Sequence, residues 1–485
     1  MSCLPVKVIA LFNDICGERY VTTDPAELYP YGKDETLDLH FPFDVLLKPS
    51  CPEEISSILR ICAEHGIPVT PRGGGSGVTG GALPVRKGIV LSMERLNRII
   101  SISPEDGYVK AEAGVLTAEL CRAVREIGCY FPVEPTSSAS CFIGGNVALN
   151  AGSPKSCKYG KTGEYVLNLE VVLGSGEIIW TGSNSRKNST GLNLTQLFVG
   201  SEGMLGVITK VVYRLLPPPP GELVILATFR HLHDACQAVL DIRRSSLSPS
   251  EVELIGPEAL RLTADHLGDE ATMADNHISA HLLIALEEQP GDPVGLDMLC
   301  AILEKYTGES ILVGQTHSER EHLRRLRLHI GTAMTGNNRK YRDVDVCVPL
   351  SCLYQYIMAV KEMADSEHVM VASFGHALDG NLHTMLVTDS GEEGAMDRID
   401  RAAHKIYAYA TGIGGVISGE HGIGWLQSRY LGLQFSHKQL DLMNQLKKVF
   451  DPDGVLNPGK SFTVFGDASK ADGKFCNAGG NCLER

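Results

Sequence analysis

A mixed α+β fold divided into two or three domains is predicted by three features of this sequence. Segments with the i, i+3, i+4, i+7 spacing of helices interleave with alternating, strand-like segments, without the regular strand–helix–strand repetition of a parallel sheet. The chain has 485 residues, more than one hydrophobic core usually serves. Pro217 to Pro220 form a four-proline tract that can be neither helix nor central strand, so it reads as a stiff spacer at a domain boundary.

Between Pro52 and Gly66, apolar residues at Ile55, Ile58, Leu59 and Cys62 mark a helix that opens on a proline and stops at a glycine. A short strand, Ile67 to Thr70, then leads into Pro71-Arg72-Gly73-Gly74-Gly75-Ser76-Gly77-Val78-Thr79-Gly80-Gly81. So dense a glycine run exposes successive backbone N–H groups and can wrap a pyrophosphate; an ordinary mobile loop is the plain alternative. Gly75-x-Gly77-x-x-Gly80 also fits the dinucleotide fingerprint, which has mechanical meaning only where a helix starts on the last glycine. Leu83-Pro84 and Gly88 follow instead, so the Rossmann assignment is rejected and the phosphate cradle kept.

Alternation makes Tyr108 to Glu112 a strand, periodicity makes Thr117 to Ile127 a helix closed by Gly128, and Leu169 to Trp180 reads as a hairpin turning at Gly174-Ser175-Gly176. A second segment, Pro135-Thr136 through Gly144-Gly145-Asn146 with Asn150-Ala151-Gly152 after it, joins hydroxyls to glycines suited to a polar cofactor. Gly200-Ser201-Glu202-Gly203 through Gly206-Val207-Ile208 is a third. Three such segments suggest one large ligand in an extended groove; three unrelated turns is the alternative. Beyond the prolines come strands near Ile225 and Leu283, a helix around His233 to Ser245, and a basic helical stretch from Glu319 to Arg327, where charges ordinarily form a solvated face.

Residues Gly375 to His383 centre on Asp379-Gly380, a strong signal for a two-residue hairpin. Folding about that pair sets Leu378 opposite Asn381, Ala377 opposite Leu382 and His376 opposite His383. Opposed Cβ atoms are about 4.5–5.5 Å apart, so the two imidazoles could share a metal. Ser418-Gly419-Glu420-His421-Gly422-Ile423-Gly424 offers a third ligand and a base. Two imidazoles and one carboxylate with open positions suit a catalytic divalent metal rather than a closed structural one. The bland alternative is a satisfied cross-strand histidine pair.

A formal net charge of −14 and a pI near 5.6 exclude the basic footprint of nucleic-acid binding and give no polybasic membrane anchor. Fourteen cysteines spread singly from Cys3 to Cys482 match no iron–sulfur or zinc-ribbon spacing and read mostly as apolar core residues in a reducing cytosol. Near the amino terminus the apolar run Val8 to Phe12 is broken by Asn13 and Asp14, too short for a signal peptide or membrane span. A cytoplasmic location is expected.

Taken in order, these motifs resemble flavoproteins of the vanillyl-alcohol oxidase and p-cresol methylhydroxylase type. The likeness lies with their branch of FAD-linked D-2-hydroxy-acid dehydrogenases: D-lactate dehydrogenase, the glycolate oxidase flavin subunit and D-2-hydroxyglutarate dehydrogenase. It covers about residues 40–460 and rests on six stretches in shared order: Pro71 to Ser76, Ile143 to Asn146, Gly200 to Gly203, Gly375 to His383, Ser418 to Gly422, and Phe450-Asp-Pro-Asp-Gly454-Val-Leu-Asn457-Pro-Gly-Lys460.

The resemblance implies an FAD-binding domain of two subdomains over 1–220 and an α+β cap domain with an antiparallel sheet over 221–430. A segment over 431–465 returns to the FAD domain, and the glycine-rich tail 466–485 is expected to be disordered and has no assigned role. FAD would contact Arg72, Gly73, Gly74, Gly75, Ser76 and Gly77 at its pyrophosphate. Pro135, Thr136, Gly144, Gly145, Asn146, Gly200, Glu202, Gly203, Gly206, Val207, Ile208 and Asn457 would line the rest of its path. Residues 71–81 hold no histidine, so the FAD is expected to be non-covalent. The resemblance makes His376, His383 and Glu420 ligands of a divalent metal (Zn, Mn or Fe), His421 the base and Arg327 the partner of the substrate carboxylate. Two departures stand out: Arg324 replaces the tryptophan usual three residues before that arginine, and Leu378 replaces a glycine common before the Asp-Gly turn.

The implied reaction is oxidation of a small D-2-hydroxy acid, D-lactate or glycolate foremost, to the 2-oxo acid by hydride transfer to flavin N5. Electrons would pass to electron-transferring flavoprotein, an iron–sulfur subunit or a quinone, which leaves open a membrane-peripheral location through a partner. Two other readings stand beside it: the flavin subunit of a larger electron-transfer complex, and a metallohydrolase using the same three ligands.

Overall fold

The computed structural model describes residues 4–268, 278–287, 294–307, 309–335, 339–389, 391, 393–465, 474–476 and 482–484. The chain forms two compact units, one of Met1–Ser153, Lys161–Pro218 and Glu420–Arg485, the other of Pro154–Gly160 and Pro219–Gly419. The proline tract thus marks a boundary. The second crossing falls between Gly419 and Glu420, not near 430, and the short segment Pro154–Gly160 sits with the second unit because Lys155 and Lys158 pair there with Glu222 and Glu287 at 3.1 and 2.7 Å.

The first unit carries two sheets. In one, Val45–Leu47, Ile89–Ser92 and Val69–Arg72 run parallel, with Val21–Thr22 antiparallel at the edge. The strand expected over 67–70 therefore lies two residues later. Helix Pro52–His65 packs on this sheet: it opens with proline at its first position and ends at left-handed Gly66 (φ 62°), whose N–H bonds the Ala63 and Cys62 carbonyls. Its Ile55, Ile58, Leu59 and Cys62 join Val45, Leu47, Val69 and Leu91 in one core, along with Val455 and Leu456 from the far end of the chain. Truncating a buried leucine such as Leu59 to alanine in a core of this kind costs about 2–5 kcal/mol. The other sheet is antiparallel, in the order Ile99–Ser103, Tyr108–Glu112, Val207–Arg214, Val166–Val172, Ile178–Trp180.

The second unit is built on one seven-stranded antiparallel sheet in the order Ile311–Gly314, Leu223–Phe229, Ala280–Leu286, Glu251–Ile255, Met370–His376, Asn381–Asp389, Arg339–Cys347. Helices Pro257–Leu267 and His317–Thr335 cover it through Leu260, Ile330 and Met334, which meet Ile255, Phe374 and Met385. In the tail, Lys474–Cys476 pairs antiparallel with Cys482–Glu484; the rest of 466–485 lies outside the described residues. Among the described residues no helix is long and apolar enough to cross a membrane.

The hairpin at 379–380 differs from the expected one. Strands Met370–His376 and Asn381–Asp389 pair with Phe374 opposite His383, so His376 is not opposite His383. The cause is the connection: Ala377–Asp379 form a 3-10 turn and Gly380 takes the left-handed conformation (φ 72°), which makes four connecting residues instead of two. The shift is two residues along the ladder. Because side chains alternate with a period of two, both imidazoles stay on one face of the sheet.

Candidate functional site

In the first unit all three glycine-bearing segments line one groove of about 900 Å³, its open mouth included. Arg72 to Gly77 form one wall, Gly144 to Asn146 a second, and Glu202-Gly203 with Gly206 to Ile208 a third. Pro135, Thr136, Gly200 and Asn457 do not line it. Met93, Ala113, Phe142 and Leu149 do; apolar and scattered, they carried no short-range signal in the sequence.

The glycines fall into two kinds. A Cβ on Gly74 would stand 2.0 Å from the Ser140 carbonyl oxygen, and one on Gly144 2.6 Å from the Ala113 Cβ, so these let the walls meet. Around Gly77, Gly81 and Gly145 a Cβ would meet nothing within 4 Å; what it would fill is the groove. That leaves backbone open to a long ligand, which is the fit an FAD pyrophosphate and its flanking ribityl and ribose groups need.

Beneath the groove lies a buried polar cluster. Arg72 donates to the Lys33 carbonyl at 2.6 Å. Lys460 donates to the Gly81 carbonyl (2.8 Å) and to Asn457 Oδ1 (2.6 Å), and the Asn457 amide donates to the carbonyls of Glu202 (2.7 Å) and Gly81 (3.2 Å). Burial drives the Lys460 ammonium down to about 7, with Asp34 and Glu202 offsetting only part of it. Asn457 therefore ties the first and third segments together from below. Glu202 accepts from the backbone N–H groups of Ile423 (3.0 Å) and Gly424 (2.7 Å), and Thr79 donates to the His421 carbonyl at 3.2 Å. Glu420 and His421 open this unit's last stretch, with His421 Nε2 3.8 Å from Glu420 Oε1.

In the second unit, His376 and His383 are buried at 5 and 6% exposure, and their ring centroids lie 5.5 Å apart with planes at 80°. Glu253, opposite His376 on the neighbouring strand, accepts from His376 Nδ1 through Oε1 and from Arg327 Nε through Oε2. Burial alone would raise the Glu253 carboxyl, but Arg327 and His376 outweigh it and hold it at about 2. The carboxylate can only accept, so the hydrogen bond places a proton on His376 Nδ1. His383 Nδ1 stands 3.4 Å from Asp343 Oδ2. Imidazoles steered at Nδ1 by carboxylates are the donor chemistry of a histidine metal site.

Arg327 stacks over Phe374 with its guanidinium carbon 5.0 Å from the ring centre. Arg324, at the departure from the family pattern, bridges Glu222 and Glu251 at 3.0 Å each, so this face of the helix is paired and half-buried, not solvated. Sequence reasoning missed Glu253, Asp343 and Asp345. Each sits in an acid–apolar alternation, Glu251-Val-Glu253 and Asp343-Val-Asp345, which normally marks a solvent-facing strand; here Glu251, Glu253 and Asp345 are buried. Asp345 accepts from Asn381 Nδ2 (2.7 Å), Ser418 Oγ (3.0 Å) and, at its carbonyl, the Gly419 N–H (3.3 Å).

Residues 43–182 match the FAD binding domain family and residues 219–461 the C-terminal domain of FAD linked oxidases. The glycolate oxidase subunit GlcD of Bacillus subtilis is 35% identical over 89% of this chain and 92% of its own length. D-lactate dehydrogenase of Anaerostipes hadrus is 31% identical over 94 and 97%. Among solved structures, p-cresol methylhydroxylase superposes with a TM-score of 0.77 at 18% identity, covering 94% of this chain and 96% of that one. Alkyldihydroxyacetonephosphate synthase does so with 0.73 at 16%, covering 94 and 85%; at such identities the likeness is one of fold. With an FAD binding domain ahead of an FAD linked oxidase C-terminal domain, and with relatives this similar along nearly their whole length, the chain belongs to the FAD-linked oxidase family that includes GlcD glycolate oxidase subunits and D-lactate dehydrogenases.

Proposed function

We propose that this chain oxidises a small D-2-hydroxy acid, D-lactate or glycolate foremost, to the 2-oxo acid with non-covalent FAD. The observation that carries the reading is Glu253: one buried carboxylate fixes the imidazole His376 and the guanidinium Arg327 together, a pairing suited to reading an α-hydroxy carboxylate. The names of the relatives, glycolate oxidase and D-lactate dehydrogenase, point to the same substrate class.

FAD, when bound along the groove, supplies the hydride acceptor. A divalent cation (Zn, Mn or Fe) held by His376, His383 and Glu420 would supply Lewis acidity toward the substrate hydroxyl. Support for Glu420 as third ligand is its covalent place directly after Gly419, which is hydrogen-bonded to the strand paired with that of His383. Arg327 pairs with the substrate carboxylate. His421 takes the hydroxyl proton, a task a neutral imidazole performs well near neutral pH. Reducing equivalents leave to electron-transferring flavoprotein, an iron–sulfur subunit or a quinone, and the chain works in the cytoplasm or at the membrane through such a partner.

Anaerobic mixing of the holoprotein with D- and L-lactate, glycolate, D-2-hydroxyglutarate and D-malate tests this reading. Bleaching of the flavin by D-lactate or glycolate is expected, and turnover with a dye acceptor should follow the same order. No bleaching by any of them refutes the assignment. His421→Ala should keep its flavin and lose most turnover; full activity would remove His421 as the base.

A further inference from the structure

Glu202 adopts a left-handed backbone conformation (φ 51°) that glycine or asparagine would take more easily. It is only partly exposed, and desolvation pushes its carboxyl up while two backbone amides and the Lys460 charge pull it down. Both costs persist only if the carboxylate does something a glycine could not. What it does is grip the consecutive N–H groups of Ile423 and Gly424 at 3.0 and 2.7 Å.

The gripped loop has little freedom elsewhere. Gly422 and Gly424 are left-handed (φ 77° and 53°), and a Cβ on either would strike Leu149 Cδ2 at 2.8 Å or the Thr79 carbonyl oxygen at 2.3 Å. Thr79 also holds the His421 carbonyl, and its own carbonyl accepts from Trp425 and Leu426 at 3.0 Å. Glu202 in turn is anchored at both backbone ends, its N–H to the Ala148 carbonyl (2.8 Å) and its carbonyl to Asn457 (2.7 Å).

We propose that Glu202 is a positioning residue for His421: its carboxylate clamps the backbone two and three residues past the imidazole and so sets the base relative to the cofactor groove. This rests on the reading of His421 as the base. Both carboxylate oxygens of Glu202 are engaged by the loop, so cofactor affinity and base placement become separable by experiment.

Glu202→Gln keeps the size but offers one acceptor and brings an N–H₂ against the amides. Hydrogen exchange at 421–426 should speed up, kcat with a dye acceptor should fall by up to about 100-fold, the effect of a small misplacement of a reacting group, and KM and the FAD dissociation constant should change little. In a His421→Ala background the same substitution should add no further loss of rate. Three results overturn the proposal: unchanged exchange at 421–426, loss of FAD in proportion to activity, or an additive loss on top of His421→Ala. Exchange reads the clamp without turnover. A His421→Ala chain with undiminished activity would thus refute the base while leaving the clamp's exchange signature in place, and the two failures are told apart.

Discussion

His376 and His383 are diagonal neighbours on one sheet face, ring centroids 5.5 Å apart, and His383 is opposite Phe374. What brings the two strands close enough is Gly375. Its φ of 142° is outside the range ordinary residues adopt, and a Cβ there would lie 2.8 Å from the Asn381 carbonyl oxygen and 3.2 Å from the His383 amide nitrogen. Gly375→Ala should destabilise the second unit by about 1–3 kcal/mol and weaken divalent-metal binding at the proposed site. Gly412→Ala, at a helical site with nothing within 4 Å, is the control and should be neutral or slightly stabilising. Urea unfolding with metal analysis checks both, and equal behaviour of the two variants would contradict the strand-approach argument.

That diagonal pair shows how far the sequence could be read. The Asp-Gly signal located the turn, and the period of two guaranteed that any even slip kept both histidines on one face, so the pairing survived a wrong register. The loop length itself was illegible, because Gly380 is held through its carbonyl by the Val348 N–H at 2.9 Å, from a residue just past strand Arg339–Cys347 and far away in sequence. Glu253 was hidden for a related reason. An acid two residues from another acid reads as solvent-facing, and only the arrival of Arg327 from helix His317–Thr335 and of His376 from the neighbouring strand makes its burial tolerable.

Glu253→Gln should separate two consequences. Without the charge, Arg327 loses its buried partner, and breaking such a pair costs about 3–5 kcal/mol. Without a pure acceptor at Oε1, His376 loses the constraint on its tautomer, and affinity for a divalent metal at the proposed site should fall about 10–100-fold, the usual effect of removing an outer partner of a ligating histidine. Chelator competition reads the affinity and chemical denaturation the stability. Unaltered metal affinity in a folded variant would mean that Glu253 serves Arg327 alone.

Two glycines of one loop should respond oppositely. Gly77→Ala puts a methyl into empty groove without touching protein, so the cofactor-free chain should keep its stability to within about 0.5 kcal/mol while its FAD affinity drops. Gly74→Ala drives a Cβ to 2.0 Å from the Ser140 carbonyl oxygen and should destabilise the cofactor-free fold itself. Flavin fluorescence titration beside thermal unfolding of the apoprotein distinguishes them. If Gly77→Ala bound FAD as the parent does, the pyrophosphate path would have to run elsewhere.

His281 provides a pH test that touches no flavin or metal. It is fully buried on strand Ala280–Leu286, opposite Thr228 and Ile255, and neither ring nitrogen has a hydrogen-bond partner. Burial lowers its pKa to about 4, against about 6.5 in an unfolded chain. Between these values the unfolded state holds the proton and the folded state does not, so stability rises with pH. The contribution is intact above about pH 6.5, shrinks as pH falls through the window, and is gone below about 4, for a total on the order of 3 kcal/mol. His281→Leu removes the titrating group and an unsatisfied ring from the core. Its stability relative to the parent should therefore improve by about 2 kcal/mol on going from pH 7 to pH 5, read from urea midpoints of the second unit's transition. Parallel pH profiles for parent and variant would show that the imidazole finds a proton acceptor in solution and is not held neutral by its surroundings.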